Sequence, residues 1–312
     1  MNFIIDAGSP GVSEARTAAL QDELDNFAAM AAVLKAQVSD TPVLEGIEVA
    51  GFTIPFAGSS GGDHIAYLDF NRQCDLPARI LEAERQGRFD IVRNLQASKT
   101  KAGILIADVS GHRRTDAFLA GMLHQAFLTG VLYELEQHGS ITSRLFENLS
   151  VRFQDYVSIG KFITVLYGEI DSSGRFRFIS AGHDRPLIFS REHDCFVEVG
   201  MANVWQYPPL GMTPFEHVDR AMHPHPLLGF QGRYEVNVLE LLGSGDILLL
   251  STDGLTEHAA AGTPYIGARL EENLRQYKSR PLQDLASRLE ADIREFGPIE
   301  DDLSVVLIRK TA

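Results

Sequence analysis

The chain has 312 residues, 45% of them hydrophobic and 22% charged, with a formal net charge of -14. That balance excludes a fibrous or disordered chain and leaves room for one large domain with an appendage or for two average ones. The acidic excess disfavours adhesion to phosphate backbones and anionic membranes, which depends on clustered Lys and Arg, so neither nucleic acid nor membrane is an expected partner.

At the N-terminus, MNFIIDAGSP lacks the basic start and long apolar core of a signal peptide, and no later run approaches the roughly 20 apolar residues of a membrane span. A cytoplasmic protein is expected. Residues 12–38 carry helix formers, with Leu20, Leu24, Phe27, Ala31, Leu34 and Val38 spaced by 4, 3, 4, 3 and 4, a heptad seam. Two readings stay open: the segment dimerises as a coiled coil, or it folds as one amphipathic helix onto its own domain. Thr41 and Pro42 break the helix, which divides the chain into an N-terminal helical segment, 1–40, and a main domain, 41–312.

From residue 43 the pattern turns to short runs rich in β-branched and aromatic residues, at 46–56, 102–108, 162–171, 175–182, 186–190, 234–241, 246–253 and 303–310. Helical patterns fill the gaps at 114–137, 142–157, 266–277 and 282–296. Paired helices between antiparallel meanders predict an α/β sandwich: two mainly antiparallel sheets packed face to face and flanked by pairs of helices. The segment 71–101 holds 7 Lys or Arg against 4 Asp or Glu and reads as a helix with Leu76, Ile80, Ala83, Phe89, Val92 and Leu95 on its apolar side. It is either a cap on one sheet or a docking surface for an acidic phosphoprotein. The stretch 201–232, with His217, His223 and His225 among Met and Pro, lacks metal spacing and reads as a surface loop edging the site. Cys74 and Cys195 have no His or Cys neighbours at zinc spacing and read as packing residues of a reducing compartment.

Two apolar strands, ILIAD and ILLLSTD, end on Asp108 and Asp253. Asp301 and Asp302 stand immediately before the strand LSVVLIRK, so if it runs antiparallel to the other two, all of these carboxylates meet at one rim. Ser60, Gly61, Gly62 and Asp63 add a turn whose glycines let backbone approach an ion closely. Each aspartate alone is an ordinary turn former or helix cap. Convergent carboxylates, however, need a cation among them, and the acidic ends of these motifs contain no Lys or Arg. Hard oxygen donors of this kind match Mg²⁺ or Mn²⁺.

GGD (61–63), ADVSGH (107–112), FITVLYGEID (162–171), FISAGHDRPLIFS, GDILLLSTDGLTE (245–257) and DDLSVVLI (301–308) occur in a characteristic order. In that order and rough spacing the chain resembles, over about residues 40–310, the RsbU-like branch of the metal-dependent, PPM-type Ser/Thr protein phosphatases, which includes the sporulation stage II E phosphatase. The resemblance implies two ions, Mn²⁺ or Mg²⁺. Asp63 and Asp108 become bridging or first-metal ligands, the Val109 carbonyl a second-metal ligand, and Asp253 and Asp301 the remaining carboxylates, with Asp302 a neighbour. It implies hydrolysis of phosphoserine or phosphothreonine by metal-activated water attacking phosphorus in line. His112, or a water on a metal, would give the leaving oxygen its proton. The implied substrate is a phosphorylated signalling protein such as an anti-sigma-factor antagonist.

The sequence departs from the family pattern in three places. Arg113, Arg114, Thr115 and Asp116 follow SGH where Gly and small residues are usual; Asp184, Arg185 and Pro186 stand where prolines are usual; and the span from Asp63 to Asp108 is long. The two arginines are either phosphate ligands or part of a solvated first turn. A haloacid-dehalogenase-type phosphatase would need a second aspartate two positions from Asp253, and position 251 is Ser251. A GGDEF-type cyclase fails because His64 follows Asp63. The remaining alternative is a catalytically silent relative signalling through its N-terminal helix, which the retention of all four candidate ligands argues against.

Overall fold

The computed structural model describes residues 10–33, 40–56, 61–111, 114–157, 159–197, 204–212, 234–239 and 243–311, and within them two five-stranded sheets face each other. With strands numbered in chain order, the first sheet runs β1 (Ile47–Ile54), β12 (Leu303–Lys310), β9 (Ile247–Ser251), β6 (Leu187–Ser190), β7 (Cys195–Val197). The second runs β2 (His64–Asp69), β3 (Lys101–Val109), β4 (Ile163–Asp171), β5 (Phe176–Ala181), β8 (Asn237–Leu239). Neighbouring strands pair antiparallel throughout both sheets. A two-residue ribbon, β10 (Ala259–Ala260) with β11 (Thr263–Pro264), stands apart.

The sandwich follows from the two-residue period of strands whose both faces are covered. Along β3, Ala102, Ile104 and Ile106 enter the layer between the sheets, while Leu105, Ala107 and Val109 face the helices. Along β12, Val306 and Ile308 lie between the sheets and Val305 and Leu307 face outward; Leu248 and Leu250 of β9 alternate with Ile247 and Leu249 in the same way. The outward face of the second sheet is covered by α3 (Leu76–Arg85), α4 (Phe89–Ser98), α5 (Arg114–His138) and α6 (Ser143–Val157). The outward face of the first is covered by α8 (Glu271–Tyr277), entered through a π-helical turn at Ile266–Leu270, and by α9 (Leu282–Phe296). Short helices α2 (Phe70–Gln73) and α7 (Asp253–Thr256) each follow a strand directly.

All eight predicted strands are present, though the described part of 234–241 holds a strand of three residues and 246–253 ends at Ser251, with Asp253 opening α7. The strands β2 and β7 were not among the predicted runs. Every residue of β2 is buried, so it shows neither the alternation of a half-buried strand nor the length of a helix. The segment 71–101 forms two main helices rather than one. Gly87, at φ +71, breaks the run, and Asp75 caps α3 through the Ala78 amide. Leu76, Ile80, Ala83, Ile91, Val92 and Leu95 enter one core cluster with Ala66, Leu68 and Leu105, so the segment caps the second sheet; Phe89, placed by sequence on the apolar side, is 69% exposed.

The N-terminal helix α1 (Pro10–Val33) lies against α5. Leu20 is exposed, while the side chains of Leu24, Phe27 and Ala31 and all of residues 34–38 fall outside the described residues, as do His217, His223 and His225. Among the described residues, no helix is long and apolar enough to cross a membrane.

Leu95→Ala, which empties a 1% exposed position under α4, is expected to cost about 2–5 kcal/mol in denaturant unfolding. Phe89→Ala on the same helix is expected to cost less than about 0.5 kcal/mol. Similar costs for the two would contradict the observed facing of α4.

Candidate metal centre

Strand register decides what meets at the open end of the sandwich. In the second sheet His64 pairs with Ala107, and one further step along that ladder brings Asp63 level with Asp108 and Gly62 level with Val109. A Cβ on Gly62 would lie 2.7 Å from the Val109 carbonyl oxygen, so only glycine lets the two backbones approach this closely. In the first sheet Ser251 pairs with Val305. Thr252 and Ser304 follow on, with the Thr252 amide donating to the Ser304 carbonyl at 3.1 Å and the Ser304 amide donating to Thr252 Oγ1 at 2.9 Å. Gly254 then passes so near the Asp302 carbonyl that a Cβ would stand 2.0 Å from it. The starts of β2 and β12 and the ends of β3 and β9 therefore share one rim, as the antiparallel arrangement requires.

Parity carries the chemistry inward. Asp63 is in phase with Ile65 and Tyr67, Asp108 with Ile104 and Ile106, and Thr252 with Leu248 and Leu250, all of which fill the layer between the sheets. The phases meet in a hydrogen bond across the sandwich, from Thr252 Oγ1 to Asp63 Oδ2 at 2.7 Å. Asp63 Oδ1 is buried and finds no hydrogen-bond partner among the described residues.

The electrostatics follow from burial and crowding. Asp63 is held well above the usual carboxylate range by burial and then by the neighbouring charge of Asp108. Asp108 is pushed up to about 7 by burial, then by Asp253, Asp301 and Asp302. Asp253 is raised by burial, then by Asp301, Glu257 and Asp184. Asp302 accepts the Phe56 amide on Oδ1 at 2.8 Å and the Gly62 amide on Oδ2 at 2.7 Å, and Asp301 accepts the Asp302 amide at 2.8 Å. Among the described residues, no three His, Cys, Asp or Glu side chains already close on a single point. These carboxylates influence one another across the rim yet stand apart. The donor set nonetheless fits hard divalent ions: several carboxylates, a backbone carbonyl, and an orphaned oxygen whose burial is costly without a cation.

His112, Arg113 and Ser60 lie outside the described residues, as do the side chains of Arg114 and Thr115. Sequence reasoning named no role for Thr252, Ser304, Thr164 or His183. His183 Nδ1 sits 3.0 Å from Thr164 Oγ1, and Thr164 pairs with Asp108 in the ladder. Burial pulls His183 down to about 4, against a weaker upward pull from the Ser251 backbone, so the ring is neutral at physiological pH. All four belong to the motifs quoted from the sequence. Counting back by twos from Thr252 would have marked it as facing inward.

A family model described as stage II sporulation protein E (SpoIIE) matches residues 98–311. No curated protein sequence matches the chain. Among solved structures, the RsbU and RsbW domains of a Mycobacterium tuberculosis protein share 23% identity, covering 87% of this chain and 62% of that one, with a TM-score of 0.58. The SiaA-PP2C domain of Pseudomonas aeruginosa shares 15%, covering 95% and 98%, with a TM-score of 0.62. The PP2C phosphatase domain of SpoIIE from Bacillus subtilis, with a fragment of its regulatory domain, shares 16%, covering 85% and 64%, with a TM-score of 0.55. The chain thus spans less than two thirds of the first and third of these structures, and the likenesses show that it has the PP2C fold.

The raised Asp108 carboxyl gives a signed expectation for the metal-free protein. A group that holds its proton longer in the folded state than in the unfolded one favours folding at low pH, and that contribution is lost as pH rises through about 7. Between about pH 6.5 and 8 the melting midpoint should fall. Asp108→Asn should flatten the fall and raise the midpoint at pH 8 by roughly 2–4 °C, the shift that about 1 kcal/mol produces in a chain of this size. Protons and ions compete for the same oxygens, so Mn²⁺ affinity should weaken from pH 8 to pH 6, which calorimetry would read.

Proposed function

The chain belongs to the stage II sporulation protein E family, and we propose on that footing that it is a phosphatase holding two divalent ions, Mn²⁺ or Mg²⁺, and hydrolysing phosphoserine or phosphothreonine on a signalling protein. The observation that supports this most is the crowding of Asp63, Asp108, Asp253 and Asp301 at one rim, where burial and mutual repulsion raise the first three. A divalent cation would relieve both costs at once.

The proposed ligands are those four carboxylates and the Val109 carbonyl. When bound, the ions would neutralise the phosphate oxygens and make a water acidic enough to attack phosphorus in line. The protein's own contribution is orientation. Thr252 donates to Asp63 Oδ2 and so leaves Oδ1 as the oxygen an ion would take. Asp302 ties down Phe56 and Gly62 and so fixes where Asp63 begins. Neutral His183 locks Thr164 beside Asp108. As the bond from phosphorus to the serine oxygen breaks, that oxygen takes up a proton, for which His112 is the proposed donor.

For the substrate we propose a phosphorylated anti-sigma-factor antagonist. One structural relative joins an RsbU domain to an RsbW domain in a single chain, which supports a partner from the same kind of switch. For regulation, α1 is the proposed dimer contact. It lies against α5, the helix whose first turn follows the Val109 loop, so a change in helix packing could bias the site. A cytoplasmic location fits this role.

Hydrolysis of an aryl phosphate and of a phosphoserine protein should require Mn²⁺ or Mg²⁺. Asp253→Asn should abolish both while keeping the circular dichroism of the native chain, a loss beyond the roughly 10–100-fold that removing an outer partner of a metal ligand costs. Absence of turnover in the unaltered chain with either ion would overturn the proposal. A chain starting at Thr41 should be monomeric with altered turnover; a dimer of unchanged activity would refute the role given to α1.

A further inference from the structure

Lys161 precedes β4 and has so far had no role. Its amide donates to the Tyr156 carbonyl at 3.0 Å, which fastens it to the end of α6. From there the ammonium reaches the loop that leaves β3, donating to the Ser110 carbonyl at 2.8 Å and pairing with Asp116 Oδ1 at 2.6 Å. The Asp116 side chain, in the first turn of α5, is 1% exposed, and that of Lys161 is 24% exposed. Gly111, at φ +103, folds around the pair. A Cβ there would stand 2.8 Å from Lys161 Nζ and 2.9 Å from Asp116 Oδ2.

Two successive peptide planes of this loop are held, the first by Phe162 and the next by Lys161. The Ser110 amide donates to the Phe162 carbonyl at 2.9 Å, and the Phe162 amide returns a bond to Ser110 Oγ at 3.0 Å. Because the peptide between Val109 and Ser110 is trans, fixing its N–H toward Phe162 turns the Val109 carbonyl the opposite way, where it meets Gly62. The next plane is fixed through its carbonyl by Lys161. An apolar pair could fill the same space at similar or better stability, so stability alone gives no reason for one N–H of a mostly buried lysine to be committed to a loop carbonyl.

We infer that Lys161 and Asp116 form a latch that presets the Val109 carbonyl for the metal; Lys161 is a positioning residue. The inference rests on the metal reading of the site. It also explains why Asp116 stands where the resembling family carries a small residue: the carboxylate anchors an ammonium delivered from α6.

The test is Mn²⁺ titration of the metal-free full chain by calorimetry, with melting curves of the same samples. Lys161→Met alone would strand the buried Asp116, so the informative variant is the pair Lys161→Met with Asp116→Ala. That pair should keep a cooperative melt and bind Mn²⁺ about 10–100-fold more weakly, the range for partners that orient metal ligands. Lys161→Arg should keep the affinity of the unaltered chain. Asp116→Asn, which removes the anchoring charge without stranding a buried carboxylate, is a second variant with the same direction of loss, should the double variant fail to fold. An unchanged binding constant in a folded latch variant overturns the latch and leaves the metal centre standing; no binding by the unaltered chain overturns both.

Discussion

The strict alternation of side chains along β2, β3, β9 and β12 is the constraint on which the rest depends. It sends Ile104, Ile106, Leu248, Leu250, Val306 and Ile308 into one dry layer between the sheets. A strand cannot change phase without a bulge, so the same count places Asp63, Asp108 and Thr252 at the mouth of that layer. The apolar core and the acidic rim are one pattern seen at two heights. Deep in the layer the inward residues are hydrocarbon; at the mouth they are oxygen.

This arrangement explains why the rim is electrostatically unstable as it stands. A carboxylate at a loop tip loses little on ionising, whereas one that continues a buried row loses water on several sides. Asp63 and Asp108 are raised first by burial and only second by their neighbours. The chain meets Asp63 with neutral hydroxyls, Thr252 foremost, and with no cation among the described residues. Its hydrogen bonding to backbone amides is concentrated instead on Asp302, which becomes an anchor for the turn that leads into Asp63. Two adjacent aspartates thus have different surroundings: Asp301 receives the Asp302 amide, and Asp302 receives two amides from the other side of a turn.

Much of this was legible in the sequence, for a physical reason. Runs β3 and β9 are apolar up to an aspartate and β12 starts just after two, and such boundaries need no neighbour to be seen. The helix pair α5 and α6 and the helix α9 have clear periods and were placed within a residue or so. What escaped was fixed by partners distant in the chain. β2 is buried on every residue because α5 and the facing sheet cover it, and its own letters do not show that. The break at Gly87 depends on a positive φ that becomes necessary only once α3 and α4 must both lie on the sheet. Thr252 gained its meaning from Asp63, 189 positions away. Lys161 and Asp116 look like two ordinary surface charges until the end of α6 is seen to deliver one to the other.

The Asp302 anchor has an evolutionary corollary. Its two oxygens hold Phe56 and Gly62, so both ends of the connection between β1 and β2 are moored to a single carboxylate that stands just before β12. The cost of lengthening a loop whose ends are already fixed grows only slowly with the number of residues. The number of residues between Phe56 and Gly62 can therefore change over time without moving Asp63. The molecule thus contains a place where new sequence can be tried beside the acidic rim while the geometry of that rim is inherited intact.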